Sequence, residues 1–142
     1  MVDRPTHNEY YMSLAMAAAK RSTCSRLMVG AIVLDRRLRF ATGYNGAPSG
    51  KEHCQDHEDD TPAWKLQPCL NVVHAEINAI LKMGNDGIAM YITHTPCFEC
   101  AKVIINAGIQ HIYYNDVYID RKVDVHEYLT EAEIEVTQVI LE

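Results

Sequence analysis

Long hydrophobic runs are missing from this chain: its apolar stretches are short and interrupted, and none could span a membrane as a helix. The opening residues, Met1-Val2-Asp3-Arg4-Pro5, lack the apolar stretch of a secretory signal, so the expected compartment is cytoplasmic. A surplus of positive charge is missing too. Thirteen Lys and Arg stand against 19 Asp and Glu, a formal net charge of −6. Long nucleic acid, whose binding rests on neutralising many phosphates, is thereby a poor partner, while a mononucleotide needs only a local positive spot. Nor is there an even set of cysteines. The five are Cys24, Cys54, Cys69, Cys97 and Cys100, which argues against a disulfide framework and for metal ligation in a reducing compartment. Internal repeats and low-complexity segments are absent. With 142 residues the expectation is one domain, 1–142, large enough to bury a core.

Two short motifs are present instead. His74-Ala75-Glu76 is followed, after 22 intervening residues from His74 to Cys97, by Pro96-Cys97-Phe98-Glu99-Cys100. Together they form the His-x-Glu…Pro-Cys-x-x-Cys pattern of zinc deaminases. A catalytic zinc takes three protein ligands and keeps one position open for water; His74, Cys97 and Cys100 can supply the three. Glu76 stands two residues past the histidine, near enough to exchange a proton with that water without ligating the metal. Either half alone is weak, since Cys-x-x-Cys also serves structural zinc and redox chemistry. Both halves in this order are specific.

The remaining pattern predicts a sheet flanked by helices. Thr6-His7-Asn8-Glu9 reads as a capping box before a helix from about His7 to Arg21. Met28 to Leu34 is a buried strand, which turns at Asp35-Arg36-Arg37 into a second strand, Leu38 to Tyr44. Residues 45–72 have little periodicity and hold two Cys and two His, which points to a metal tying them down. Then come a helix (His74 to Lys82), a strand (Ala89 to Thr93), a helix (Cys97 to Ala107, closed by Gly108), a strand (Ile109 to Tyr114), a short helix near Asp124 to Thr130 and a last strand (Glu135 to Leu141). Strands alternating with helices imply right-handed parallel crossovers. The fold class expected is α/β, a three-layer α/β/α sandwich with a mixed five-stranded sheet. Both motifs then sit at helix N-termini, whose dipoles favour thiolate and carboxylate. Tyr113 and Tyr114 end the fourth strand and Tyr118 follows it; stacking of one of them on a ligand ring is one reading, and packing is the commoner role; His94 and His111 are read as structural. Arg26, just before the first strand, is the candidate for holding a 5′-phosphate.

On these residues the chain resembles the deoxycytidylate (dCMP) deaminases of the cytidine deaminase superfamily. The resemblance covers roughly residues 8–140. It is carried by Arg21-Ser22-Thr23-Cys24, Val29-Gly30-Ala31, Thr42-Gly43-Tyr44-Asn45-Gly46, the segment from His74 to Ile80, and Thr95-Pro96-Cys97-Phe98-Glu99-Cys100-Ala101-Lys102. It implies a cytidine deaminase-like fold and hydrolytic deamination of dCMP to dUMP and ammonia, with Glu76 as the proton carrier, in the supply of dTTP precursors. It implies that Asn45 binds the deoxyribose, and Ala75 is placed with Asn45 and Arg26 among the substrate-binding residues. It further implies a homohexamer with an effector site at the loop Gly43, Tyr44, Asn45 and Gly46, activated by dCTP with Mg2+ and inhibited by dTTP. A second, structural zinc is implied on Cys24, Cys54 and Cys69, with His57 as fourth ligand and His53 as its competitor. The alternatives are a deaminase acting on dCTP or free cytidine, and a non-catalytic, zinc-stabilised nucleotide-sensing module.

Overall fold

This computed structural model describes residues 3–24, 26–51 and 71–141. The capping box forms: the Thr6 hydroxyl accepts the Glu9 amide and the Glu9 carboxylate accepts the Thr6 amide, both at 3.1 Å. It opens α1 (His7–Ala19). Strand β1 (Gly30–Asp35), every residue of it buried, turns into β2 (Phe40–Tyr44). Helix α2 (Ala75–Met83) leads through a short 3-10 turn into β3 (Gly87–His94). Helix α3 (Phe98–Asn106), β4 (His111–Asp116), α4 (Val125–Glu131) and β5 (Glu135–Gln138) complete the described chain.

The sheet has the order β2-β1-β3-β4-β5. Strand β1 pairs antiparallel with both neighbours, while β3, β4 and β5 run parallel. The mixed five-stranded sheet is therefore the one expected, and β2 runs in the direction of β3 with β1 between them. Alternation sorts the side chains. Ile32, Leu34 and Tyr91 pack with Met12 and Ala15 of α1 on one face. Ala31, Val33, Met90 and Ile92 pack with Ala79, Ile104 and Leu129 of the other three helices on the opposite face. Helix α1 comes unusually close to the sheet, for a Cβ on Gly30 would stand 2.0 Å from the carbonyl oxygen of Ala15. No helix among the described residues is long and apolar enough to cross a membrane.

Several boundaries differ from the sequence expectation for local reasons. Strand β1 begins at Gly30 rather than Met28 because the backbone before it is engaged by a side chain: the Val29 amide donates to Asn45 Oδ1 (2.9 Å) and the Leu27 carbonyl accepts from Asn45 Nδ2 (2.7 Å). Strand β2 begins at Phe40 rather than Leu38 because Leu38, at φ 63°, is still in the turn. Strand β5 stops at Gln138, three residues early. Tyr113 and Tyr114 lie within β4, which runs on to Asp116; Tyr113 stacks on Tyr91 with ring centroids 4.3 Å apart.

Candidate active site

Both motifs lie at the carboxyl edge of the sheet, where an α/β fold usually binds its ligands. His74 is the N-cap residue of α2 and Cys97 that of α3, each with extended backbone, and neither side chain caps its helix. Both are thus free to ligate. Two other groups secure the helix starts. Gly46 and Val73 form an isolated antiparallel bridge (3.2 and 2.8 Å) that fixes the residue before His74. The amide of Phe98 donates 3.0 Å to Asp120 Oδ2, so Asp120 takes the capping role that Cys97 gives up.

The imidazole of His74 and the thiols of Cys97 and Cys100 place their ligand atoms within 4.8 Å of one another. Nδ1 of His74 is 3.2 Å from Cys100 Sγ and 3.5 Å from Cys97 Sγ. Tetrahedral donors at about 2.0–2.3 Å from zinc stand roughly 3.5 Å apart, so the spacing fits that ion. Zinc ligation requires both thiols as thiolates, and the free site holds them differently. A hydrogen bond from Cys100 and the nearby His74 outweigh burial and pull the Cys97 thiol down to about 4, making it the thiolate; Cys100, which supplies that bond and is itself buried, is pushed up. The bond to Cys97 raises His74 against the effect of burial. Glu76, 4% exposed, is pushed up to about 7, chiefly by desolvation.

His74, Glu76 and Cys97 face a cavity of about 220 Å³, also lined by Cys24, Arg26, Val29, Asn45, Ala75 and His94. Of the residues expected to bind substrate, all three line it. Arg26 is exposed, and Ala75 is fully buried in the first turn of α2. Asn45, 6% exposed, holds the wall together: besides its bonds to Val29 and Leu27, its Oδ1 accepts from the Ser22 hydroxyl at 2.5 Å. Gly43 is buried, and Tyr44 lies under the Arg21 guanidinium, 5.9 Å from the ring centroid. Cys24 is buried beside the cavity. Its expected partners Cys54, His57 and Cys69, and the competitor His53, lie outside the described residues.

Sequence reasoning read His94 as structural, weighed Tyr118 chiefly as packing, and gave Thr95 no role in this wall. His94 lines the cavity, as do Thr95 and Tyr118. Tyr118 is anchored to Thr95, its amide donating 2.7 Å to Thr95 Oγ1 and its carbonyl accepting from that hydroxyl at 3.0 Å. The position of His94, three residues before Cys97 at a strand's carboxyl end, was the available signal. Asp120 had none, because its role depends on a contact across 22 residues.

A three-layer sandwich carrying a His-Cys-Cys donor set and a buried carboxylate at two helix starts is the arrangement of the zinc-dependent deaminases. Residues 5–116 match the family model described as "Cytidine and deoxycytidylate deaminase zinc-binding region"; the chain belongs to this family. It is 40% identical over 126 residues to ComE operon protein 2 of Bacillus subtilis, covering 82% of this chain and 63% of that protein's length. It is 38% identical over 127 residues to the deoxycytidylate deaminase of Mycobacterium phage D29, covering 80% of this chain and 97% of the phage protein. The dCMP deaminase from cyanophage S-TIM5, solved in complex with dCMP and dUMP, superposes with a TM-score of 0.77 at 34% identity, over 97% of this chain and 100% of that one.

Proposed function

We propose that the chain is a zinc-dependent dCMP deaminase, converting dCMP and water to dUMP and ammonia. The observation that carries this is the buried Glu76 beside the His74, Cys97 and Cys100 cluster, in a cavity open to a small ligand. The phage deaminases of similar length and fold support the choice of substrate. His74, Cys97 and Cys100 would hold the zinc, which supplies a Lewis acid that lowers the pKa of a coordinated water. Glu76 accepts a proton from the attacking water and delivers it to N3 of the cytosine ring, then takes the remaining proton from the hydroxyl on C4 and gives it to the departing amine. Arg26 attracts the 5′-phosphate, and Asn45 and Ala75 shape the wall beside the sugar and base.

The finer reading adds regulation and a second metal. The loop Gly43, Tyr44, Asn45 and Gly46 runs from β2 to the bridge that precedes His74, so an effector at a subunit contact there would bias the catalytic pocket. The family resemblance supplies the effectors, dCTP with Mg2+ as activator and dTTP as inhibitor, and a cytoplasmic homohexamer as the assembly. The same resemblance supplies the structural zinc on Cys24, Cys54, Cys69 and His57. One assay tests the whole reading: zinc-loaded protein is given dCMP, dCTP, CMP and cytidine, with and without dTTP, and loss of cytosine absorbance is followed. Preferred turnover of dCMP that dTTP suppresses is the expected result. Preference for cytidine or dCTP would move the chain to another branch of the superfamily, no turnover of any would leave a binding module, and indifference to dTTP would remove the regulation.

A further inference from the structure

The cavity holds a second imidazole that the metal cluster does not use. His94 ends β3 and shares the wall with Arg26, Glu76 and Tyr118. Its Nδ1 stands 2.9 Å from the hydroxyl oxygen of Thr93. That hydroxyl, in a residue 1% exposed, already accepts the Gly30 amide at 3.1 Å. A hydroxyl has one hydrogen and two lone pairs. Gly30 occupies a lone pair, and Nδ1 is the acceptor at hand among the described residues, so the hydrogen goes to Nδ1. Nε2 then carries the ring proton. Burial also lowers the pKa of His94 against the pull of Asp116, which favours the neutral ring.

Few other donors are free on this wall. The Thr95 hydroxyl gives its hydrogen to the Tyr118 carbonyl, and Asn45 spends its oxygen on Ser22 and Val29 and one of its two Nδ2 hydrogens on Leu27. A nucleotide phosphate therefore has Arg26, His94 and the Tyr118 hydroxyl to turn to.

We propose that His94 is a phosphate-binding residue, donating Nε2–H to the 5′-phosphate of the nucleotide alongside Arg26, with Thr93 as the positioning residue that sets its tautomer. The proposal rests on the nucleotide-deaminase reading above.

The test compares dCMP with deoxycytidine, which lacks the phosphate, and dUMP with deoxyuridine in calorimetric binding, which needs no turnover. His94→Phe should lower kcat/KM for dCMP and the affinity for dUMP by about 10- to 100-fold, the worth of a hydrogen bond to a charged group. Turnover of deoxycytidine and zinc content should not change. His94→Gln, which restores an N–H at similar reach, should recover most of the loss, and Thr93→Val should fall between. His94→Ala provides the same contrast if phenylalanine is not accommodated. Equal losses with and without the phosphate, or no loss at all, would overturn the assignment. A wild-type protein that binds dUMP through His94 yet leaves dCMP intact would remove the reaction while keeping this site.

Discussion

A Cβ added at Gly43 would stand 2.2 Å from the carbonyl oxygen of Ala75 and 2.5 Å from the amide nitrogen of Ala79, so β2 and the first turn of α2 meet backbone to backbone. That turn carries His74 at its cap and Glu76 within it. Gly43→Ala must push the helix off the sheet and carry both residues with it. The expected result is a loss of about 1–3 kcal/mol in stability, typical of overpacking, together with weaker zinc binding. Calorimetric melting and zinc titration check it; an unchanged melting temperature and zinc affinity would contradict the packing described.

Glu76→Gln keeps the size of a buried side chain that makes no metal contact in the proposed mechanism. Zinc content should stay at the wild-type level while turnover falls by about 10²–10⁴-fold, the usual worth of a positioned proton carrier. Metal analysis and single-turnover kinetics on one sample separate the two quantities. Near-normal turnover would remove Glu76 from the mechanism.

Two zinc ions per chain are expected, one on His74, Cys97 and Cys100 and one on Cys24, Cys54, Cys69 and His57. Elemental analysis of protein purified without chelator measures the ratio, and a value of one would refute the second centre. Cys69→Ala should lower thermal stability far more than it alters the choice among cytidine nucleotides, because a structural metal contributes its binding free energy to folding. His57→Ala against His53→Ala then identifies the fourth ligand by which loses the metal.

Asp35 ties the β1–β2 turn together and should make the fold acid-sensitive. Its side chain is 5% exposed, and burial pushes its pKa up. The Arg39 amide and guanidinium (3.0 and 2.7 Å) and the Arg37 amide (2.8 Å) outweigh that and hold the carboxyl below its ordinary range. A depressed folded pKa means the unfolded chain takes up the proton first. This stabilisation is present above the unfolded value of about 4 and is lost as pH falls through the folded value. Asp35→Asn should therefore melt lower at neutral pH and show a flatter acid limb. Melting temperature against pH tests this, and parallel curves for the two proteins would refute it.

The metal-binding cluster was legible in the chain because its chemistry is local: ligands at fixed short spacings on two helix starts, with Glu76 two residues from His74. The order of strands and helices was legible for a similar reason, since the capping box at Thr6 and the apolar runs at β1 and β3 carry their own periodicity. Element ends were read less well. The start of β1 depends on Asn45, 16 residues from Val29, whose side chain claims backbone groups that a strand would otherwise pair.

The linear sequence by itself determined that His74, Cys97 and Cys100 can share a metal and that Glu76 can serve it, because residue type and spacing set that chemistry. The tertiary structure alone decided what surrounds them. It brought His94 into the cavity beside the Thr93 hydroxyl, placed Asp120 over the start of α3, and made Gly43 the floor on which α2 rests. Each of these is a contact between segments far apart in the chain or a matter of which way a strand's end faces. No local pattern encodes such contacts, because they exist only once the sheet and helices have packed.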